Sequence, residues 1–360
     1  MKLPTSLIIA LLLAAPTIRA QTAMAGAAAD TLPPRAPAQW YEKMRISGLL
    51  FGDVYWVAAH HDSELEDRNG FWIRRIYLTF DNQLSEAFDA RLRFEVASPG
   101  DFASAANLDR PMVKDAYLRW KGGHHQALLG ISPSPTYEVV ETLWGYRSVE
   151  KTPADLQRLS PSRDFGLALR GELTPSKTVR YHLFLGNGAG TGTETNKGKK
   201  AMLSLGFEPD PRLVLELYGD YEDLPGDTSR SVLQAFASFR FDRGRLGIQV
   251  FRQWRDHGEE GESETIDFGS VFGVVDLQER LSLLARYDHM FDANPEGPKI
   301  AYLPLHARSQ SNLLILGLEY RPLATVSVIP NVEYVFYQAS TGAGAPDGDW
   351  IPRLTFSYRF

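Results

Sequence analysis

The sequence contains no cysteine, so disulfide bonds, thiol catalysis and a lipid anchor on an N-terminal cysteine are excluded. Beyond its N-terminus it also lacks any run near the roughly 18 to 20 apolar residues that a membrane-spanning helix requires. Nor does it have an excess of basic residues, because its formal net charge is -6. These absences argue against a helical membrane protein and against nucleic acid as a partner.

Sequence motifs of common enzymes are missing as well. There is no Gly-x-Ser-x-Gly elbow, no His-Glu-x-x-His metal motif and no glycine-rich phosphate loop with lysine. Adjacent histidines occur at His60-His61 and His124-His125, but successive residues of a strand point to opposite faces, which is poor geometry for shared metal ligation. We therefore interpret both pairs as loop and turn residues, and we predict no catalytic residue, metal or cofactor.

The N-terminus has the layout of a signal peptide. A basic start at Lys2 is followed by an apolar core over residues 7–15, a break at Pro16 and then small residues. Cleavage after Ala20 fits the distance from the apolar core, whereas cleavage after Ala25 fits the small-x-small pattern. The sequence therefore predicts an exported chain, and we prefer the cleavage site at Ala20.

Three segments are predicted along the chain: a signal peptide at 1–20, a disordered Ala- and Pro-rich leader at 21–39, and one structured domain at 40–360. Removal of the signal peptide takes away two basic residues, so the net charge of the mature chain becomes -8. This acidic balance leaves room for a basic channel, because a permeating ion meets the field of the lining side chains rather than the total charge.

Within 40–360, short segments alternate apolar and polar side chains with the period of two that is typical of strands. In residues 88–96, five apolar residues alternate with four charged ones. A membrane β-barrel has this pattern because its strands face lipid on one side and the lumen on the other, which keeps the mean hydropathy near neutral. The observed mean hydropathy of -0.24 agrees with such a barrel.

The connections between these segments alternate strictly between short turns and long polar stretches. This asymmetry is typical of outer-membrane barrels, whose periplasmic ends are tight turns and whose extracellular ends are loops. The sequence therefore predicts an all-β transmembrane antiparallel β-barrel of about sixteen strands, each of the roughly 9 to 11 residues needed to cross the membrane. The longer connections are 59–70, 98–111, 132–162, 187–199, 222–230, 256–266, 292–310 and 338–349.

Aromatic residues fall where a membrane barrel needs them. Tryptophans at strand ends predict interfacial girdles; they are Trp56, Trp72, Trp120, Trp254 and Trp350. The last strand ends the chain on Phe360 after alternating aromatic residues, which resembles the signal read by the outer-membrane barrel assembly machinery. This strand is expected to pair with the first strand near 45–58, so that no backbone edge faces lipid.

Several stretches carry a resemblance to the family of phosphate-selective porins O and P, which covers essentially all of 40–360. They are 70–80 (GFWIRRIYLTF), 89–95 (DARLRFE), 113–120 (VKDAYLRW), 163–166 (RDFG) and 186–190 (GNGAG). The resemblance implies a homotrimer of sixteen-stranded barrels in the outer membrane, in contact with lipid and lipopolysaccharide. It also implies a third loop folded into each lumen, and arginines that guide phosphate or similar small anions.

Carried over by motif, Arg74, Arg75 and Arg163 are the best candidates for anion contacts. Guanidinium groups stay charged and present forked donors that match phosphate oxygens. Further arginines lie on predicted polar faces and extend the candidate row: Arg91, Arg93, Arg119, Arg180, Arg286, Arg353 and Arg359. The segment 132–162 has helical character around 137–147 and 154–159, and we assign it as the pore-constricting third loop with candidate charges Arg147, Lys151 and Arg158.

Three alternatives stay open at this point. Inward arginines often pair with inward carboxylates, so each candidate can be a structural partner of residues such as Asp89, Glu95 or Asp115. The barrel can be a general or cation-preferring porin rather than an anion channel. It can also be a non-conducting barrel for binding or adhesion, although about sixteen strands leave room for a water channel.

Overall fold

The computed structural model of the protein describes residues 40–102, 108, 110–338 and 344–360. The predicted signal peptide at 1–20 and the predicted leader at 21–39 lie outside the described residues. Among the described residues, no helix is both long and apolar enough to cross a membrane.

Within the described residues, sixteen antiparallel strands close into one barrel, as the sequence predicts. Each strand pairs with its neighbours in the sequence, and the last strand pairs with the first. The strands are β1 (Met44–Trp56), β2 (Asn69–Gln83), β3 (Phe88–Val96), β4 (Met112–Gly122), β5 (His125–Pro133), β6 (Arg163–Glu172), β7 (Val179–Gly186), β8 (Lys200–Asp210), β9 (Leu213–Leu224), β10 (Thr228–Phe241), β11 (Gly244–Asp256), β12 (Glu264–Gln278), β13 (Leu281–Met290), β14 (Ser311–Leu323), β15 (Val326–Tyr337) and β16 (Asp349–Arg359).

The two ends of the barrel differ in their connections. One end, the turn end, carries short turns and both termini of the barrel domain, whereas the opposite long-loop end carries the longer connections. The prediction of a long connection at 222–230 is wrong. Strand β9 ends at Leu224 and β10 begins at Thr228, so only three residues connect them. The left-handed backbone of Gly226 (φ 80°) and Asp227 (φ 56°) makes this tight reversal possible.

The α-helices among the described residues lie in one connection at the long-loop end. The connection between β5 and β6 contains α1 (Pro135–Trp144) and α2 (Pro153–Leu156). Short 3-10 turns occur at Trp40–Lys43, Gly258–Glu260 and Gly297–Lys299. The sequence predicted helical character at 137–147 and 154–159, so both helices form close to the expected places.

Side chains alternate between the outside and the lumen along each strand. Four of the five predicted girdle residues point outward with 40–48% of their surface exposed: Trp56, Trp120, Trp254 and Trp350. The prediction is wrong for Trp72, which points inward. Its ring stacks on Tyr55 with a centroid distance of 4.0 Å, and its indole N–H donates to Asp53 Oδ2 at 3.3 Å.

A β-bulge in β2 explains the position of Trp72. Phe51 pairs with Arg75, whereas the next residue of β1, Gly52, pairs with Ile73. Arg74 is therefore an extra residue of β2 that has no pairing partner on β1. A bulge shifts the alternation by one residue. Arg74 and Arg75 therefore both face the lumen, although strict alternation would place them on opposite sides of the sheet.

The barrel closes where the C-terminal residue meets β1. Phe360 extends the pairing of β16, because its amide donates to Gly48 O at 3.1 Å and its carbonyl accepts from the Gly48 amide at 2.9 Å. A Cβ atom on Gly48 would lie 2.2 Å from the Phe360 ring, so a side chain at this position cannot be accommodated without a shift. The predicted pairing of the last strand with the first is confirmed.

The barrel wall is expected to face lipid on its outer side and water on its lumen side. Arginine substitutions at two adjacent positions of β8 test this expectation. Leu205 points outward with 42% of its surface exposed, whereas Gly206 lines a lumen cavity. Leu205→Arg should lower the free energy of unfolding in lipid vesicles by about 2–4 kcal/mol, the cost of an arginine near the bilayer midplane. Gly206→Arg is the matched control and should retain most of the stability; equal losses would contradict the two-solvent wall.

Candidate functional site: the barrel lumen

The connection 134–162, here called the inner loop, enters the lumen. Its first helix, α1, starts at Pro135, whose fixed φ suits the first helical turn. The helix ends at Gly145, which adopts a left-handed conformation (φ 75°) and donates its amide to Glu141 O at 2.9 Å. These local signals keep α1 short, so that the chain can turn back across the barrel.

Side chains from the barrel wall hold the inner loop through its carbonyl groups. Arg245 on β11 donates to Trp144 O at 2.9 Å, and Arg286 on β13 donates to Lys151 O at 2.5 Å. These arginines satisfy carbonyls that no helix pairs, which would otherwise be costly to bury. Arg286, predicted as a possible pore arginine, is instead 1% exposed and is enclosed by the loop and Asp288.

Glu150 of the inner loop joins two strands of the wall. Its Oε2 atom lies 2.7 Å from Arg74 Nη2 and 3.6 Å from Arg353 Nη1. Arg74 also lies 3.5 Å from Asp53, and Arg353 lies 2.7 Å from Glu333. All five side chains are at most 1% exposed, so each charge depends on its partners for compensation. Arg74 is therefore a buried anchor of the inner loop in this structure.

A second connection, 291–310, also folds inward. Its Tyr302 is 1% exposed, and the guanidinium of Arg74 lies 4.7 Å above the ring centroid. The Tyr302 hydroxyl accepts from Arg75 at 3.1 Å and donates to Ser98 O at 2.7 Å, while its carbonyl accepts from Arg353 at 2.5 Å. This loop therefore covers the arginine pair of β2 from the long-loop end.

Apolar side chains fill one side of the lumen. The inward positions of β10 and β12–β15 pack against the inner loop and against 291–310; examples are Phe236, Phe272, Leu284, Ile315 and Ile329. The expectation of polar inner faces is wrong for these strands. A signal for this existed in β12 and β14, where apolar residues occupy both alternating positions (VFGVV and LLILGL).

The opposite side of the lumen, from β2 to β6, is lined by charged residues. Three carboxylates there are each shared by two cations, so they order the cations without neutralising them. Asp89 contacts Arg119 at 2.7 Å and Lys121 at 3.1 Å, Asp115 contacts Arg163 at 2.5 Å and Arg93 at 3.3 Å, and Glu95 contacts Lys114 at 2.9 Å and Arg75 at 3.1 Å. We call these residues the shared-carboxylate ladder. Asp89 and Glu95 lie at opposite ends of β3, so the ladder follows the barrel axis.

The remaining candidate residues lie in different surroundings. Arg91 forms a separate pair with Asp81 at 2.7 Å, and Arg180 pairs with Glu208 near the turn end. Arg158 is exposed and donates to Lys299 O at 2.8 Å. The structure therefore joins Arg75, Arg93, Arg119 and Arg163 in one ladder, and places Arg91 beside it. Arg74, Arg158 and Arg180 lie apart from it.

Two cavities open below the inner loop, one on each side of Thr142. The first, about 500 Å³, is lined by five cations and two carboxylates, a formal charge of +3; we call it the basic cavity. The second, about 660 Å³, is lined by four cations and four carboxylates and is formally neutral apart from two histidines. The charged residues of the basic cavity are Arg93, Lys114, Arg147, Arg163, Arg359, Glu141 and Asp155.

Lys151 of the inner loop is buried near these cations. No carboxylate oxygen among the described residues lies within 4 Å of its ammonium group. Burial, together with the charges of Arg147 and Arg75, lowers the pKa of Lys151 to about 8, against the raising influence of Asp155 and Glu150. Lys151 is thus a cation of the inner loop whose charge changes within a pH range accessible to experiment.

The anchoring role of Glu150 generates a prediction about stability. Glu150→Gln removes the charge that bridges Arg74 and Arg353, so we expect the free energy of unfolding to fall by about 3 kcal/mol. Glu141→Gln in the same loop is the matched control. Glu141 lies 3.9 Å from Arg147 and its side chain is 40% exposed, so its loss should cost about 1 kcal/mol or less. Urea denaturation of both variants in detergent measures this; equal effects would contradict the anchor.

No protein-family model and no curated protein sequence matches the chain. Its fold is similar to that of solved outer-membrane proteins. A loop-deletion mutant of OmpT from Vibrio cholerae has a TM-score of 0.63 at 15% identity, covering 88% of this chain and 99% of that one. An anion-selective porin from Comamonas acidovorans has a TM-score of 0.62 at 13% identity with the same coverages. The outer membrane channel DcaP of Acinetobacter baumannii has a TM-score of 0.59 at 13% identity, covering 88% and 97%. The chain therefore has the sixteen-stranded porin fold.

Proposed function

We propose that the protein is an outer-membrane diffusion channel for small anions, which pass along the shared-carboxylate ladder and through the basic cavity. The observation that carries this proposal is the excess of cations around the basic cavity in a chain whose total charge is negative. Five cations line the cavity against two carboxylates, and the cations remain in excess when Asp115 and Glu95, which contact Arg93, Arg163 and Lys114, are counted as well. The field inside a narrow, low-dielectric channel is set by its lining residues, so this local excess of cations favours anions.

The sharing of carboxylates suits conduction. A cation that is fully paired with its own carboxylate has little attraction left for a passing ion, whereas two cations on one carboxylate keep a net positive field. Successive inward residues of a strand are about 6–7 Å apart, so an anion moves between neighbouring weak sites rather than into one deep trap. Conduction requires such sites, because an ion that binds too tightly does not leave.

The inner loop is the proposed constriction, and its Arg147 and Lys151 are the proposed charges at the narrowest point. Arg147 lines the basic cavity and lies 3.8 Å from Asp155 and 3.9 Å from Glu141. Guanidinium groups match the oxygens of phosphate, so the finer proposal is a preference for phosphate or polyphosphate-like solutes. The anion-selective porin of similar fold is consistent with this class of permeant.

The proposed setting is the outer membrane of a Gram-negative cell. The apolar outer face with its tryptophan girdle would contact membrane lipid and lipopolysaccharide, with the turn end in the periplasm. The strand that ends in Phe360 would present the chain to the barrel assembly machinery. We also propose a homotrimer, the form given for one OmpT structure of similar fold.

A non-conducting binding barrel is the second candidate. Its supporting observation is that the inner loop and 291–310 fill one side of the lumen with apolar side chains. The two candidates differ in planar bilayers: the purified protein produces discrete conductance steps if it is a channel, and no steps above the membrane background if it is a binding barrel.

Neutralising one ladder cation tests the anion path. Lys114 lines the basic cavity and shares Glu95 with Arg75, so Lys114→Gln leaves Glu95 with a partner. We expect the reversal potential in a KCl gradient to move toward lower anion preference. Lys177→Gln is the matched control. Lys177 lines the second cavity, which is formally neutral, and it shares Glu172 with His124 in the way that Lys114 shares Glu95. A wild-type reversal potential in Lys114→Gln would contradict the proposed path.

The pKa of Lys151 generates a separate prediction. With a pKa of about 8, Lys151 is mostly charged at pH 7 and mostly neutral at pH 9. Anion preference should therefore fall as the pH rises through 8. Lys151→Arg should keep the preference of pH 7 at both values, since arginine remains protonated, and Lys151→Met should show the lower preference at both. If the Arg variant retains the wild-type pH profile, another group is responsible.

A further inference from the structure

A cluster of histidines and one buried carboxylate lies at the long-loop end, outside both cavities described above. His60 and His61 follow β1, Asp349 is the first residue of β16, and His306 belongs to 291–310. Asp349 Oδ1 lies 2.8 Å from His61 Nδ1 and 4.0 Å from His60 Nε2. One donor atom from each of these three residues lies within 4.8 Å of the others.

The adjacent histidines come together because they lie beyond the end of β1. The expectation that successive side chains point to opposite faces holds within a strand, but β1 ends at Trp56 and the chain turns away from the extended path shortly after His60. The His60 and His61 rings stack with a centroid distance of 4.3 Å and an interplanar angle of 28°. The prediction that this pair has poor geometry for shared metal ligation is therefore wrong.

Asp349 is a buried carboxylate that lacks a permanent cationic partner. Its side chain is 0% exposed, and among the described residues no lysine or arginine nitrogen lies within 4 Å of it. Its other hydrogen bonds come from the Tyr337 hydroxyl at 2.5 Å and the His61 amide at 2.7 Å. Neutral donors compensate a buried charge incompletely, so this position favours an added cation.

Two imidazole nitrogens around this carboxylate have no hydrogen-bond partner. They are His60 Nε2 and His306 Nδ1, and both atoms are buried. The His306 ring stands perpendicular to that of His61, with a centroid distance of 5.6 Å. A buried polar atom without a partner is costly unless a water or an ion satisfies it. His60 Nε2 lies 4.0 Å from the uncompensated carboxylate, and the His306 ring lies against the His61 ring, so a bound cation would satisfy this group of side chains.

We propose that His60, His61 and Asp349 bind a divalent transition-metal ion, with Zn²⁺ as the best match and the neighbouring His306 as the fourth ligand. Three imidazole nitrogens and one carboxylate oxygen suit the four-coordinate preference of zinc. Calcium and magnesium prefer all-oxygen sites. Ligation through His60 Nε2 moves the ring proton to Nδ1, so the present contact from the Asp62 amide to Nδ1 at 3.0 Å opens on binding.

The bound ion would join three separate parts of the long-loop end: the connection after β1, the start of β16, and 291–310. The first two flank the barrel seam, and the third carries Tyr302 against Arg74 and Arg75. Metal binding is therefore expected to raise the melting temperature of the folded barrel. This inference does not depend on the channel being conductive, because it concerns binding and stability alone.

Zinc titration of the mature protein in detergent tests the site. Isothermal titration calorimetry should show one Zn²⁺ per chain, and replacing both His60 and His61 with Gln should weaken binding by about 100-fold or more. The chain contains its own matched control in the second adjacent pair. His124 and His125 lie at the turn end and are exposed, so replacing both with Gln should leave the affinity and stoichiometry unchanged.

Cobalt provides an independent readout of coordination. Co²⁺ bound to the wild-type protein should give the intense visible absorption of a four-coordinate site, and the His60/His61 variant should not. Circular dichroism verifies that each variant is folded; if the double variant is not, His306→Gln replaces it, with the same loss expected. The inference is overturned if the wild type binds no zinc, or if the folded variants bind it as tightly as the wild type does.

Discussion

The contact between Glu150 and the two arginines Arg74 and Arg353 is the interaction on which the interior depends. It connects the inner loop to β2 and β16, on either side of β1, in a region that excludes water. A charge in such a region is stable only with its partners in place. The position of the loop thus follows from charge compensation as well as from apolar packing, and this position divides the space below the loop into two cavities.

The lumen is asymmetric as a result. Apolar inward residues of β10 and β12–β15 support the inner loop on one side, while charged residues of β2–β6 face the remaining space on the other. Apolar packing needs no counter-charge, so these strands can hold the inner loop in place without charged partners. The charged side keeps a cation excess because its carboxylates are shared. Support and the proposed conduction are therefore assigned to different strands of one barrel.

Much of the fold was predictable from the sequence, because period-two alternation and connection lengths report directly on strands in a membrane. The errors arose where a local irregularity changed the alternation. Trp72 was misplaced because a bulge leaves no mark in apolar-polar periodicity. His60 and His61 were misjudged because the rule that successive side chains point to opposite faces was applied to residues of a connection, where it does not hold. The apolar lumen face had a detectable signal in LLILGL of β14, which was not distinguished from a lipid-facing strand.

The sequence by itself determined the class of the protein: sixteen short amphipathic strands, no spanning helix, no cysteine and an aromatic C-terminus, each of which reflects local chemistry or length. Tertiary structure alone decided which charges meet. Arg93 and Arg163 share Asp115, and Asp349 meets two histidines from the distant connection after β1. Such groupings depend on barrel closure and on the path of the inward loops, which bring together residues separated by tens or hundreds of positions in the chain.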